Sequence, residues 1–182
     1  MNKSISFRGL KLAMVMSAMA VTTMVTAQDS KDQKLIKEAE EAKAKFIASD
    51  KIMDNLFSGA TGYVIFPNVG KGAIGVGGAA GNGILFQGGK AVGSAKLKQV
   101  SVGFQFGGQA YREVIFFENA ETLERFKGGK FEFSAQASAV ALKTGASANA
   151  KYTNGVMIFT EQKGGLMYEA SVGGQKFKFS TF

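Results

Sequence analysis

The sequence predicts an α+β fold: an N-terminal helical segment packed on a curved antiparallel β-sheet or small β-barrel, with one short helix inserted late in the chain. Three observations carry this prediction. The one long segment with helical spacing of apolar residues lies within residues 28–58. From Gly59 onward, short apolar runs alternate with glycine breaks. Finally, 24 Gly, one Pro and 16 Phe in 182 residues suit many short strands, tight turns and an interior filled by aromatic rings.

The first 27 residues are set aside from the fold. Lys3, Arg8 and Lys11 stand without an acid before the apolar run 12–25, and Val25-Thr26-Ala27 offers small residues before Gln28. That order is the one of a secretory signal, and the apolar run is shorter than the roughly 20 residues of a spanning helix. We therefore expect a cleaved signal at 1–27 and an exported or periplasmic protein, soluble or peripheral to the envelope membrane. A retained anchor is the other reading of the same run. No Cys is present to receive an acyl chain or to form a disulfide.

Residues 28–182 then form a single domain, helical over 28–58 and mainly β over 59–182. In the helical part Leu35, Ala39, Ala42, Phe46, Met53 and Phe57 recur at helical spacing, with Lys34, Lys37, Glu38, Glu41, Lys45 and Asp50 on other faces. This predicts one helix or two, with Ser49-Asp50 as a candidate cap between them. The stripe is narrow and its flanking charges are of both signs, which suits packing on a body better than insertion into a bilayer. Tyr63-Val64-Ile65-Phe66 predicts a buried strand that stops at Pro67. Strands are further expected at 72–78, 83–87, 91–97, 100–106 and 113–117, then along 131–142, 156–159, 166–172 and 176–179. Segment 145–152 is read as a pairing strand or a surface arm. Residues 119–126 have Leu123 and Phe126 on one side and stop at Gly128-Gly129, which predicts the inserted helix.

Composition also bounds the chemistry. There is no His and no Cys, which removes Ser-His and Cys-His nucleophile pairs, imidazole acid/base chemistry, and thiolate or imidazole metal ligands. Glu113, Glu118 and Glu132 are the sheet-region candidates for a paired-carboxylate site, at spacings that do not bring them together. No catalytic residue, metal or cofactor is assigned, and the protein is expected not to be an enzyme. The formal charge is +8, falling to +5 (19 basic against 14 acidic residues) without residues 1–27. Such a charge favours approach to anionic surfaces but is too thinly spread for nucleic acid.

The glycine block Gly70 to Gly83 contains Gly75-x-Gly77-x-x-Ala80, a loose dinucleotide fingerprint. That motif works by presenting a helix N-terminus to a pyrophosphate. Here Gly81-Asn82-Gly83 leads directly into the apolar run Ile84-Leu85-Phe86, so a steric role in close backbone packing is the better reading. A terminal aromatic, Phe182, after alternating strands is a feature of outer-membrane barrels. Counting back by twos gives Ser180, Lys178 and Lys176, an outward face that is charged rather than apolar, and the expected strands are shorter than the roughly 9 to 11 residues of a span. The barrel stays a minor alternative.

The order Ile65-Phe66-Pro67-Asn68-Val69-Gly70-Lys71-Gly72, the glycine block to Leu85, Val102-Gly103-Phe104-Gln105-Phe106-Gly107-Gly108-Gln109, Ile115-Phe116-Phe117, Leu123-Glu124-Arg125-Phe126 and Glu161-Gln162-Lys163-Gly164-Gly165-Leu166-Met167 closely resembles the SYLF domain family. The resemblance covers nearly all of 35–180. It implies a lipid-headgroup or membrane-surface binder, since eukaryotic relatives bind phosphoinositides and some fungal ones bind actin. No SH3 or FYVE module accompanies the domain here, and actin is an unlikely partner for an exported bacterial protein. Ala95-Lys96-Leu97-Lys98 departs from the Ser-, Tyr- or Trp-containing stretch of many relatives, which leaves the lipid unspecified.

Binding an anionic phospholipid or membrane surface requires several cations converging beside apolar surface. The candidate site residues are Lys71, Lys90, Lys96, Lys98 and Arg112, with Lys90, Lys96 and Lys98 as the main cluster. Each is also what an ordinary solvated surface cation looks like. Arg125, Lys127 and Lys130 rank lower, because cations are favoured at a helix C-terminus anyway. The rival expectation is a structural or stress-related envelope protein that binds another protein or a polymer.

Overall fold

The computed structural model describes residues 29–74, 76–101, 109–129, 131–134, 137–164 and 170–182. The signal segment, the alternation at Val102–Phe106 and the cation Lys130 lie outside them. Residues 35–182 form one compact unit, and the description below concerns that unit.

Helix α1 occupies 29–49 and α2 Met53–Gly59. Between them Asp50 is buried, and its carboxylate accepts hydrogen bonds from the Ile52 N–H (3.2 Å), the Ser147 N–H (3.0 Å) and the Ser147 hydroxyl (2.7 Å). Burial alone would raise its pKa. The donors from Ser147, Ile52 and Gly145 outweigh it and hold the carboxyl below its ordinary value. Ser49, the other half of the expected cap, instead donates to Glu161.

Then follow β1 (Gly62–Ile74), β2 (Val76–Gln87), β3 (Lys90–Ser101), β4 (Gln109–Phe117), α3 (Ala120–Lys127), β5 (Ser138–Ala141), a 3-10 turn (Ala146–Asn149), β6 (Val156–Gln162), β7 (Ala170–Ser171) and β8 (Gln175–Thr181). Among the described residues the strand order is β7-β5-β6-β4-β1-β2-β3-β8. All pairs are antiparallel except β5 with β6, which is parallel. The sheet is therefore mixed and open rather than a purely antiparallel sheet or a closed barrel. Its two ends are nevertheless drawn together by the chain at 131–139. Glu132 bridges Lys176, the Phe133 N–H donates to the Gln175 carbonyl, the Gly174 N–H donates to the Phe133 carbonyl, and the Val172 N–H donates to the Ala137 carbonyl.

The curvature produces two cores, one on each face. On one, Ala39, Ala42, Phe46, Met53 and Phe57 from α1 and α2 cover Tyr63, Ile65, Ile84, Phe86, Val114, Phe116, Met157 and Phe159. On the other, the sheet folds over itself and α3, burying Phe66, Ile115, Phe117, Phe126, Phe131, Phe133 and Phe177. Both faces of β1 are thus buried, which is why Tyr63–Phe66 is an unbroken apolar run rather than an alternating one.

Three sequence expectations are corrected. Pro67 does not end β1: the ladder shifts register there, between Phe66 and Val69 against β4 and between Ile65 and Asn68 against β2. Proline has no N–H to donate, and a bulge is where a strand tolerates one. Segment 145–152 contains a 3-10 turn rather than a pairing strand. The strands are also longer than the apolar runs suggested, 13, 12 and 12 residues for β1 to β3, because small and charged residues extend them. Strand length therefore does not argue against an outer-membrane barrel. The argument that remains is the outer face, which is covered by helices at one end and carries lysines at the other.

The glycine block supplies the β1–β2 hairpin, not a loop before a helix. The inserted helix α3 is one residue displaced from its expected position. Asn119 caps it by accepting from the Thr122 N–H at 2.9 Å, and Gly129 leaves it at φ +67.

Candidate functional site

Strand β3 alternates Ala95 and Leu97 into the inner core with Lys96 and Lys98 on the exposed outer face. Strand β8 does the same with Phe177 inward and Lys176 and Lys178 outward. The register of the pair places Lys96 directly opposite Lys178, and Lys98 directly opposite Lys176. Four lysines therefore form a block on one surface of two neighbouring strands. The same stripe on β3 continues to Val100, 73% exposed, and the alternation of β8 continues to Phe182, 53% exposed. Apolar side chains thus stand at both ends of the basic block.

Like charges directly opposite each other on a sheet are destabilising. Among the described residues, Lys176 alone of the four reaches a carboxylate, that of Glu132 at 3.4 Å, and both side chains are largely exposed. Such a pair contributes about 0–1 kcal/mol and does not neutralise the block. Lysines also protect sheet edges from pairing with other chains, which would account for Lys176 and Lys178. It does not account for Lys96 and Lys98, because β3 lies between β2 and β8.

The structure separates the other predicted cations from this block. Lys90 opens β3 at the Gly88-Gly89 turn, six residues or about 20 Å of strand from Lys96. A register shift between Leu85 and Phe86 intervenes, so the even spacing that joined Lys90 to Lys96 and Lys98 does not mean a shared face. Arg112 lies on β4 beside the helix-covered residues and is paired with Glu161 at 2.7 Å, its cross-strand neighbour. Lys71 belongs to β1, where its backbone pairs with Ala79 and Gln109. Of the lower-ranked group, Lys127 contacts Glu124 and Gln87, and the Arg125 guanidinium lies 5.9 Å from the Phe131 ring. These are structural roles for both.

Lys176 and Lys178 were missed by sequence reasoning, yet a signal was present. Ala95-Lys96-Leu97-Lys98 and Gln175-Lys176-Phe177-Lys178 share one alternating pattern, and two such strands form a single basic surface once paired.

A second feature lies on the inner face. Glu113 is fully buried on β4, and Gln175 (0% exposed) donates from Nε2 to its Oε2 at 3.0 Å and to the Tyr111 hydroxyl at 3.5 Å. Among the described residues, Glu113 Oε1 and Gln175 Oε1 have no hydrogen-bond partner. Burial pushes the Glu113 carboxyl up to about 8, the Gln175 donor pulling weakly the other way. Burial, with the neighbouring Glu113 charge, likewise raises the Tyr111 hydroxyl beyond its ordinary range. Glu118 and Glu132 are exposed elsewhere, so these three carboxylates do not converge. Among the described residues no cluster of three or more carboxylate, imidazole or thiol groups could hold a metal, and no helix is long and apolar enough to cross a membrane.

Residues 98–181 match the family described as Ysc84, Las17-binding protein actin regulator. This part of the chain is similar to the Ysc84, or SYLF, family. The matched stretch runs from Lys98 on β3 to the end of β8, so it contains Lys98, Lys176 and Lys178. The chain is also similar to Beta cell expansion factor A of Aeromonas veronii, with 32% identity over 71 residues, 39% of this chain. The matched stretch spans 27% of that relative's length.

Proposed function

We propose that this protein, similar over 98–181 to the SYLF family, is a non-enzymatic binder of anionic lipid at a membrane surface, on the periplasmic side of a bacterial envelope. The observation that carries the reading is the cross-strand block Lys96, Lys98, Lys176 and Lys178, flanked by exposed Val100 and Phe182. Four cations on a rigid two-strand surface repel one another until an anionic layer meets them. Each lysine near such a surface contributes about 1 kcal/mol. The flanking Val100 and Phe182 can enter the interfacial layer while the ammonium groups stay among the headgroups. The family description favours a second reading, an actin-type protein surface, which is also acidic and is tested alongside.

The test is co-sedimentation of the full chain with vesicles of phosphatidylcholine alone, with phosphatidylglycerol added, and with actin filaments. Binding is expected only where phosphatidylglycerol is present, and it should weaken as salt is raised, since exposed charges are screened. Reversing Lys96, Lys98 and Lys178 together to Glu should weaken that binding about a hundredfold or more. Lys90→Glu should change it by less than about threefold. Equal binding to both vesicle types, indifference to the triple reversal, or pelleting with actin filaments alone would overturn the lipid reading.

A further inference from the structure

Strand β5 stays beside β6 for only two pairs, Val140 with Phe159 and Ala141 with Thr160. The chain before it, 131–137, crosses to the β8 side and bonds there. A seam opens where these two directions part, and it holds a cavity of about 470 Å³. Phe131, Phe133, Val156, Met157 and Ile158 line it, each no more than 7% exposed. Met157 belongs to the helix-side core and Ile158 to the inner core, so the cavity runs along an edge of β6 and touches both cores.

Its polar groups gather on exposed chain: Glu132, Ser134, Lys151, Thr153 and Asn154. Among the described lining residues Lys151 is the one cation, and Glu132 is already paired with Lys176. An apolar slot with a single cation at an exposed rim is complementary to a single hydrocarbon chain that ends in one negative charge. Its volume lies within the roughly 300–1,000 Å³ of small-molecule sites.

We propose that this seam binds one long-chain carboxylate, a fatty acid, with its chain between Phe131, Phe133 and Met157 and its carboxylate at Lys151. The site adjoins the lysine block through the Glu132–Lys176 pair, but its apolar slot is lined by other residues and requires no bilayer.

Calorimetric titration of the full chain with octanoate, decanoate, dodecanoate and tetradecanoate, each below its micelle concentration, tests it. Saturable one-to-one binding is expected, tightening about fourfold per added methylene until the slot is filled. Dodecylammonium should bind more weakly than dodecanoate. Lys151→Glu should weaken dodecanoate about fivefold and reverse that preference. Ala137→Phe should block the longer chains; if that variant does not fold, the chain-length series and the Lys151 reversal decide. No saturable binding at any length, affinity independent of length, or equal affinity before and after Lys151→Glu would overturn the proposal. Vesicle binding by a chain that ignores fatty acid would remove this site and leave the lysine block standing, and the converse result would do the opposite.

Discussion

Replacing Glu113 by Gln is expected to stabilise the protein at pH 8 by on the order of 4 kcal/mol, and at pH 5 by less than about 1 kcal/mol. In the folded chain Glu113 titrates at about 8, against 4.5 for the free side chain. Between those values the folded state holds a proton that the unfolded state has released. Stability therefore falls as pH rises through that window and levels off above about pH 8. An uncharged Gln removes the dependence. Asp50 works in the opposite direction: its carboxyl is held low, so its contribution is lost only when pH falls below the ordinary carboxylate range. The interval from pH 5 to pH 8 thus isolates Glu113.

The local hydrogen bonding supports the same direction. Among the described residues Glu113 Oε1 and Gln175 Oε1 are both acceptors without donors, and a Gln at 113 would bring an amide N–H pair to that place while keeping an oxygen for Gln175 Nε2. Across the strands Glu113 faces Phe66 on β1 and Thr160 on β6, and among the described residues no cation pairs with it. Thermal unfolding followed by circular dichroism at the two pH values measures the effect. For a chain of this size it corresponds to a rise in Tm of about 10 °C at pH 8. A parent and variant that unfold together at pH 8, or a parent that gains stability from pH 5 to pH 8 relative to the variant, would show that Glu113 is charged in the fold.

What the sequence made legible follows the range of the interactions. The inserted helix was readable because its signals are local: Asn119 caps it, Leu123 and Phe126 share a face, and Gly129 adopts the positive φ that ends it. The N-terminal helical segment and the buried run Tyr63–Phe66 were readable for the same reason. Features set by register were not. A bulge beside Leu85 separated Lys90 from Lys96, and the facing of Lys96 by Lys178 spans more than 80 residues of chain. Periodicity gives which face a residue takes, but only the pairing gives its neighbour. Glu113 shows the same limit: a carboxylate next to Val114-Ile115-Phe116-Phe117 looks like a strand end, and its complete burial depends on β8 arriving with Gln175.

The glycine block provides the second large effect, and it separates the steric reading from a ligand-binding one. A Cβ placed on Gly83 would lie 2.6 Å from the Ile65 carbonyl oxygen and 2.6 Å from the Phe66 ring. The ring has little freedom, since Phe66 is fully buried and packs on Phe177 at 5.9 Å. The carbonyl has less, because β1 is held by β2 on one side and β4 on the other. Gly83→Ala is therefore expected to destabilise the protein by about 3 kcal/mol, the upper end of ordinary overpacking. Gly83→Val should prevent folding altogether. Gly70, on the neighbouring strand, has nothing within 4 Å of the same added atom. Gly70→Ala should accordingly be neutral or stabilise by up to about 1 kcal/mol through the unfolded chain. Urea unfolding of the two Ala variants gives the comparison directly. Equal losses at both positions would mean that the glycines serve something other than the close approach of β2 to β1. A loss confined to Gly83 ties the pattern to the hairpin on which β3, and with it Lys96 and Lys98, is aligned.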